Sequence, residues 1–119
     1  MLSLSLPVEI YLAVQPADMR KAFDGLFALA AEHLGRDPLA GGLFVFVNRR
    51  RDRMKLLYWD ADGLAIWAKR LESGTFQIPQ VDPQARSVTL SATELTLLLR
   101  GIDLSSVRQR KRYRRSRVA

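Results

Sequence analysis

The chain has no cysteine among its 119 residues and only one histidine, His33. Without thiols it can form neither disulfides nor thiolate metal sites. Without a thiol there is no Cys/His pair, and no Ser/His/Asp nucleophile set can be assembled around His33 with any sequence support. No apolar run approaches the roughly 20 residues needed to span a bilayer. The opening MLSLSLP lacks a cationic segment and Glu9 soon interrupts it, so a signal peptide is not expected. Acidic residues are missing from the most basic stretch. From Arg108 to Arg117 there are seven bases and no acid, whereas residues 1–107 carry 12 bases and 12 acids. The net charge of +7 is therefore entirely a property of the tail.

What remains is a composition of 48% hydrophobic and 26% charged residues, that of a soluble globular protein. The length suits one domain, expected over residues 1–107, followed by a flexible basic tail over 108–119. There is no internal repeat. A reducing, cytoplasmic setting is the default expectation, although absent cysteine permits either compartment, and a nucleoid-associated location is expected if DNA is the partner.

Hydropathy patterning sets the expected elements. Val8 to Val14 alternates apolar and mixed positions, the pattern of a half-buried strand, and Gln15-Pro16 ends it. Asp18 stands where a helix N-cap is expected. Phe23, Leu26, Phe27, Ala30 and Leu34 then form one helical stripe, with Gly35 as C-cap. Gly25 inside that helix suggests a close contact. Leu43–Val47, Met54–Trp59 and Leu64–Arg70 are apolar runs separated by turn signals, expected to form an antiparallel meander. Gly63 is the expected positive-φ residue of the Asp60–Gly63 turn. Short strands are expected at Thr75–Ile78 and Ser87–Leu90. Ser91-Ala92-Thr93-Glu94 has the form of a capping box, opening a short helix through Leu95, Leu98, Leu99 and Ile102 with Gly101 as its cap. The fold class is thus α+β: an antiparallel β-meander packed against one main α-helix, with a short C-terminal helix and a basic tail.

Two cationic clusters carry the functional signal. Arg108, Arg110, Lys111, Arg112, Arg114, Arg115 and Arg117 in the tail suit phosphate neutralisation with counterion release. Tyr113 could stack on a base. A solubilising role is the plainer alternative, and a membrane-surface helix is disfavoured because no apolar face accompanies the charge. The second cluster is the first hairpin tip: Arg49, Arg50, Arg51, Arg53 and Lys55, with Asp52 among them. Strand alternation places Arg49, Arg51, Arg53 and Lys55 on one side, if extended geometry persists through the turn. A two-stranded ribbon can enter a major groove, although charges at a hairpin tip also serve simply to block edge pairing.

The acids favour structure over chemistry. Asp60-x-Asp62-Gly63 lacks the later ligands of a calcium loop, so Asp60 and Asp62 read as turn residues. Gly41-Gly42 precedes a strand, which is the wrong context for a phosphate loop. Trp59 and Trp67 are expected in the core or on a sheet face, and His33 near carbonyls at a helix end or solvent. A metal-independent ribonuclease centred on Arg53, Lys55, Tyr58 and Lys69 is the enzymatic alternative; otherwise no catalytic residue, metal or cofactor is expected.

Several runs resemble the small TnpB-type accessory proteins of the bacterial insertion-sequence family number sixty-six. They include Asp18-Met19-Arg20-Lys21-x-Phe23-Asp24-Gly25-Leu26, Gly35-Arg36-Asp37-Pro38, Asn48-Arg49-Arg50, Trp59-Asp60-x-Asp62-Gly63 and Lys69-Arg70-Leu71-Glu72-x-Gly74-x-Phe76. Leu97-Leu98-Leu99-x-Gly101-Ile102-Asp103 and the arginine-rich tail extend the match, with Ala22 departing from an expected glycine. The resemblance implies a non-enzymatic accessory factor of transposition, with DNA, the DDE-type transposase and other element-encoded proteins as partners. Homo-oligomerisation is left open, as is an RNA- or protein-binding interaction module.

Overall fold

The computed structural model describes residues 8–100. The basic tail, Gly101 and Ile102 lie outside the described residues.

Five strands form one sheet in the order β4-β3-β2-β1-β5. They are β1 (Ile10–Ala13), β2 (Leu43–Val47), β3 (Arg53–Asp60), β4 (Gly63–Arg70) and β5 (Ser87–Leu90). The expected meander is present, with β2, β3 and β4 antiparallel in sequence. The sheet is not antiparallel throughout, however, because β1 runs parallel to β2. Parallel neighbours need a long crossover, and the segment carrying the main helix supplies it.

Burial on both faces explains the apolar runs. All of β1 and β2 is buried, and the core has two layers. On one face Ile10, Leu12, Leu43, Val45, Met54 and Leu56 pack with Phe76, Leu95 and Leu98. On the other, Tyr11, Ala13, Phe44, Phe46 and Leu57 pack with Leu26 and Ala30 of the main helix. The strand expected to be half-buried is therefore an interior strand, held between β2 and β5.

The main helix, α1 (Phe23–Ala28), continues as one π-helical turn over Leu29–His33. It begins four residues later than Asp18 suggested, with Ala22 and not Asp18 at the N-cap position. Asp18 instead accepts hydrogen bonds from the Arg20 backbone amide at 2.9 Å and from the Arg20 guanidinium. Lys55 Nζ donates to the carbonyls of Met19 and Lys21, each at 2.8 Å, which removes two acceptors that an earlier helix would need. The first turn bond runs from Leu26 N–H to Ala22 C=O. Gly35 ends the helix as expected: its φ is +69°, and Arg36 N–H reaches back to Ala30 C=O. A Cβ on Gly25 would lie 3.0 Å from the Lys21 side chain, so its close contact is local to the helix entry. His33 Nε2 is buried without a hydrogen-bond partner among the described residues, rather than turned to carbonyls or solvent.

The segment expected to form a strand at Thr75–Ile78 does not pair into the sheet. It crosses the face opposite α1 and inserts Phe76, 1% exposed, into the core. A buried phenylalanine fixes such a strap more strongly than ladder bonds at a sheet margin would. The second helix, α2 (Ala92–Arg100), opens with the expected reciprocal capping box. Ser91 N–H donates to Glu94 Oε1 at 2.8 Å, and Glu94 N–H donates to Ser91 Oγ at 3.0 Å. Among the described residues, no helix is long and apolar enough to cross a membrane.

Candidate functional site

The β2–β3 loop is a folded turn, not an extended continuation of its strands. Asn48 Oδ1 accepts from the backbone amides of Asp52 and Arg53 at 3.0 Å, and Asn48 Nδ2 donates to Asp52 Oδ1 at 2.7 Å. Arg51 N–H closes the turn on Asn48 C=O, and Arg51 takes a φ of +60°. Left-handed geometry is unfavourable for a side chain bearing a Cβ. It persists because the loop is tied from behind: Leu71 N–H donates to Asp52 C=O, and Phe76 N–H donates to Arg51 C=O. The Phe76 strap is thus also the support of the arginine turn.

This folding breaks the expected one-sided row. Arg49, Arg50 and Arg51 are exposed around the turn, and only Arg53 and Lys55 retain strand alternation. Lys55 is half-buried and directed to the Met19 and Lys21 carbonyls. It ties the sheet to the α1 entry.

Two cations absent from the expected cluster join it. Arg70 stands directly opposite Arg53 in the β3–β4 register. Arg20 is carried to the same end by the Ala17–Lys21 segment, where Ala17 N–H bonds to Val47 C=O. Arg20, Arg49, Arg50, Arg53 and Arg70 together line a depression of about 390 Å³. An adjoining depression of about 490 Å³ shares Arg53 and Arg70 and adds Lys55. Arg70 was legible in principle, since a two-residue turn at Ala61-Asp62 fixes which residues face one another. Arg20 carried no signal beyond its charge.

Carboxylates temper this surface. Arg20 pairs with Asp18 at 2.7 Å, and Arg70 with Glu72 at 3.2 Å. All four side chains are well exposed, so the pairs are weak and open to exchange for other anions. The Arg20 guanidinium and backbone amide hold the Asp18 carboxyl down at about 2. The Asn48 amide, helped by the charges of Arg50 and Arg53, holds the Asp52 carboxyl below its ordinary range against the cost of desolvation. Both acids stay ionised at neutral pH and organise the turns beneath the arginines.

The ribonuclease alternative fares differently. Register places Arg53 and Lys55 on the α1 face of the sheet but Tyr58 and Lys69 on the opposite one. Tyr58 packs against the Phe76 core, and Lys69 Nζ donates to Leu99 C=O. Tyr58 is thus kept apart, although Arg53, Lys55 and Lys69 line one depression. Among the described residues there is also no group of three or more His, Asp or Glu able to hold a metal ion.

Fold and surface therefore define a small α+β scaffold whose distinctive chemistry is a set of displayed guanidinium groups. The chain belongs to the IS66 Orf2-like protein family, whose model matches residues 8–109, and is an insertion-sequence accessory protein. It is 38% identical over its full length, and that of the relative, to "Uncharacterized protein y4jC" of Sinorhizobium fredii. It is 35% identical to "Uncharacterized protein y4hO" of the same organism, covering 81% of this chain and 82% of the relative. No solved structure matches it.

Proposed function

We propose that the protein acts in transposition by binding DNA through its cationic hairpin end, without catalysing a reaction, while contacting the transposase. The observation that carries this reading is the convergence of Arg20, Arg49, Arg50, Arg53 and Arg70, from three separated segments, around one open depression. Exposed guanidinium groups on rigid turns suit the oxygens of a phosphate backbone, which they can engage bidentately. The tail cations at Arg108, Arg110, Lys111, Arg112, Arg114, Arg115 and Arg117 add sequence-independent attraction, strongest at low salt.

The hairpin end supplies position and the tail supplies reach. Phosphate oxygens displace Asp18 and Glu72 from Arg20 and Arg70 on binding, since exposed ion pairs are weak. Titration of labelled duplex DNA with the full chain at low salt tests the reading. Binding is expected, and it weakens when Arg49, Arg50 and Arg53 are replaced together by glutamine. Absence of DNA affinity at low salt overturns it. Capture of the transposase by tagged protein, unchanged after nuclease treatment, supports direct contact; loss of capture shows a nucleic-acid bridge.

A further inference from the structure

Two depressions meet at the arginine end of the sheet. They share Met19 and the facing pair Arg53 and Arg70. Their other walls differ in chemistry. The first, of about 390 Å³, is lined by the exposed Arg20, Arg49 and Arg50, whose guanidinium groups suit phosphate oxygens. The second, of about 490 Å³, gains no further guanidinium among the described residues. Its two lysines place their ammonium groups on backbone carbonyls, Lys55 on those of Met19 and Lys21 and Lys69 on that of Leu99. The α1 side of this depression is then largely apolar: exposed Ala68, half-buried Met19 and the aliphatic stem of Lys55.

A phosphate group has no use for such a wall. A double helix cannot fill it either, because paired bases present only their edges in the grooves. An unpaired base presents its face, which can lie against apolar side chains or over the plane of an arginine. The shared pair fits this division. Arg53 and Arg70 stand directly opposite one another, like charges that weaken a ladder, and Glu72 offsets only Arg70. A nucleotide brings negative charge to one side of that pair and a π face to the other.

We infer that the arginine end takes DNA with unpaired nucleotides in preference to a closed duplex. One phosphate sits in the first depression, and the base attached to it lies in the second, against Arg53 and Arg70. The inference rests on the DNA-binding reading above and narrows it: a duplex engages the first depression alone, whereas an unpaired strand engages both.

Titration of the full chain with three labelled DNAs at one salt concentration tests this. They are a blunt duplex, the same duplex with a short unpaired overhang, and that overhang made abasic, which keeps its phosphates and removes its bases. The intact overhang is expected to bind roughly fivefold or more tighter than the blunt duplex, and the abasic overhang to lose most of that advantage. Replacing Arg53 and Arg70 together by glutamine is expected to erase the ratio between overhang and blunt DNA. Arg49→Gln, which alters the first depression only, is expected to weaken both forms and preserve the ratio. An overhang that adds no affinity, an abasic overhang that binds as tightly as the intact one, or a ratio that survives the double replacement would overturn the inference while duplex binding still supported the proposed function. A protein that binds none of the three DNAs would overturn both.

Discussion

Arg53 and Arg70 stand directly opposite one another across β3 and β4, a like-charge pair at the end of the sheet nearest the arginine turn. Facing like charges destabilise a ladder by a few tenths of a kcal/mol to about 1 kcal/mol. Glu72 relieves part of this through Arg70. Arg53→Gln is therefore expected to raise the unfolding midpoint slightly while weakening DNA binding. Paired thermal melts and DNA titrations check this trade, and a variant losing both stability and affinity contradicts it.

Arg51 and Ala61 both hold positive φ, at +60° and +55°. Replacing either with glycine removes the Cβ conflict, at the expense of a more disordered unfolded chain. Arg51→Gly and Ala61→Gly are each expected to stabilise by up to about 1 kcal/mol. Denaturant midpoints at unchanged slope are the measurement.

Phe76 holds the strap that supports the arginine turn, and its backbone amide bonds to Arg51 C=O. Phe76→Ala opens a core cavity and is expected to cost about 3–5 kcal/mol. Hydrogen exchange should show loss of protection at the Asn48–Arg53 turn as well as in the core, because both rest on the same segment.

Lys55 spends its charge on the Met19 and Lys21 carbonyls. Lys55→Met leaves those acceptors without their charged donor and is expected to destabilise by about 1–3 kcal/mol. Its effect on DNA affinity is expected to be smaller than that of Arg49→Gln or Arg50→Gln. Equal losses of affinity would return Lys55 to the binding surface.

Asp18 has a carboxyl lowered from 3.8 to about 2 by Arg20. A depressed folded-state value means the unfolded chain takes up the proton first as pH falls. The contribution is complete above about 4 and disappears as pH drops through about 2. Because Asp18 is exposed to solvent, its share of stability is small. NMR titration of the Asp18 side chain should give a midpoint near 2, moving up towards 3.8 in Arg20→Gln.

The sequence made periodic features legible where one physical rule acted alone. The meander, the Ser91–Glu94 capping box and the Gly35 cap follow from alternation, a reciprocal side-chain exchange and backbone freedom. It misled where distant groups compete for local ones. Asp18 has the chemistry of an N-cap, yet Lys55, 34 residues after Lys21, takes the carbonyls that would extend the helix. Thr75–Ile78 has strand composition, but burying Phe76 outweighs the ladder. In the turn after β3, positive φ falls on Ala61 and not on Gly63, so residue preference misplaced the strain. At the candidate site the same division holds. Arg53 and Arg70 are joined by turn register, which is local, whereas Arg20 arrives through tertiary packing that leaves no periodic trace.

The most direct test of the account is the salt dependence of duplex DNA binding for three full-length proteins. These are the wild type, the Arg49/Arg50/Arg53→Gln variant, and a variant with the seven tail cations replaced by glutamine. If both clusters contact phosphates, each variant has a shallower slope of log affinity against log salt, by up to about 0.9 per contact removed. The hairpin variant then loses roughly two to three units of slope. A hairpin variant whose slope and affinity match the wild type would contradict the central claim that the convergent arginines form the DNA-binding surface.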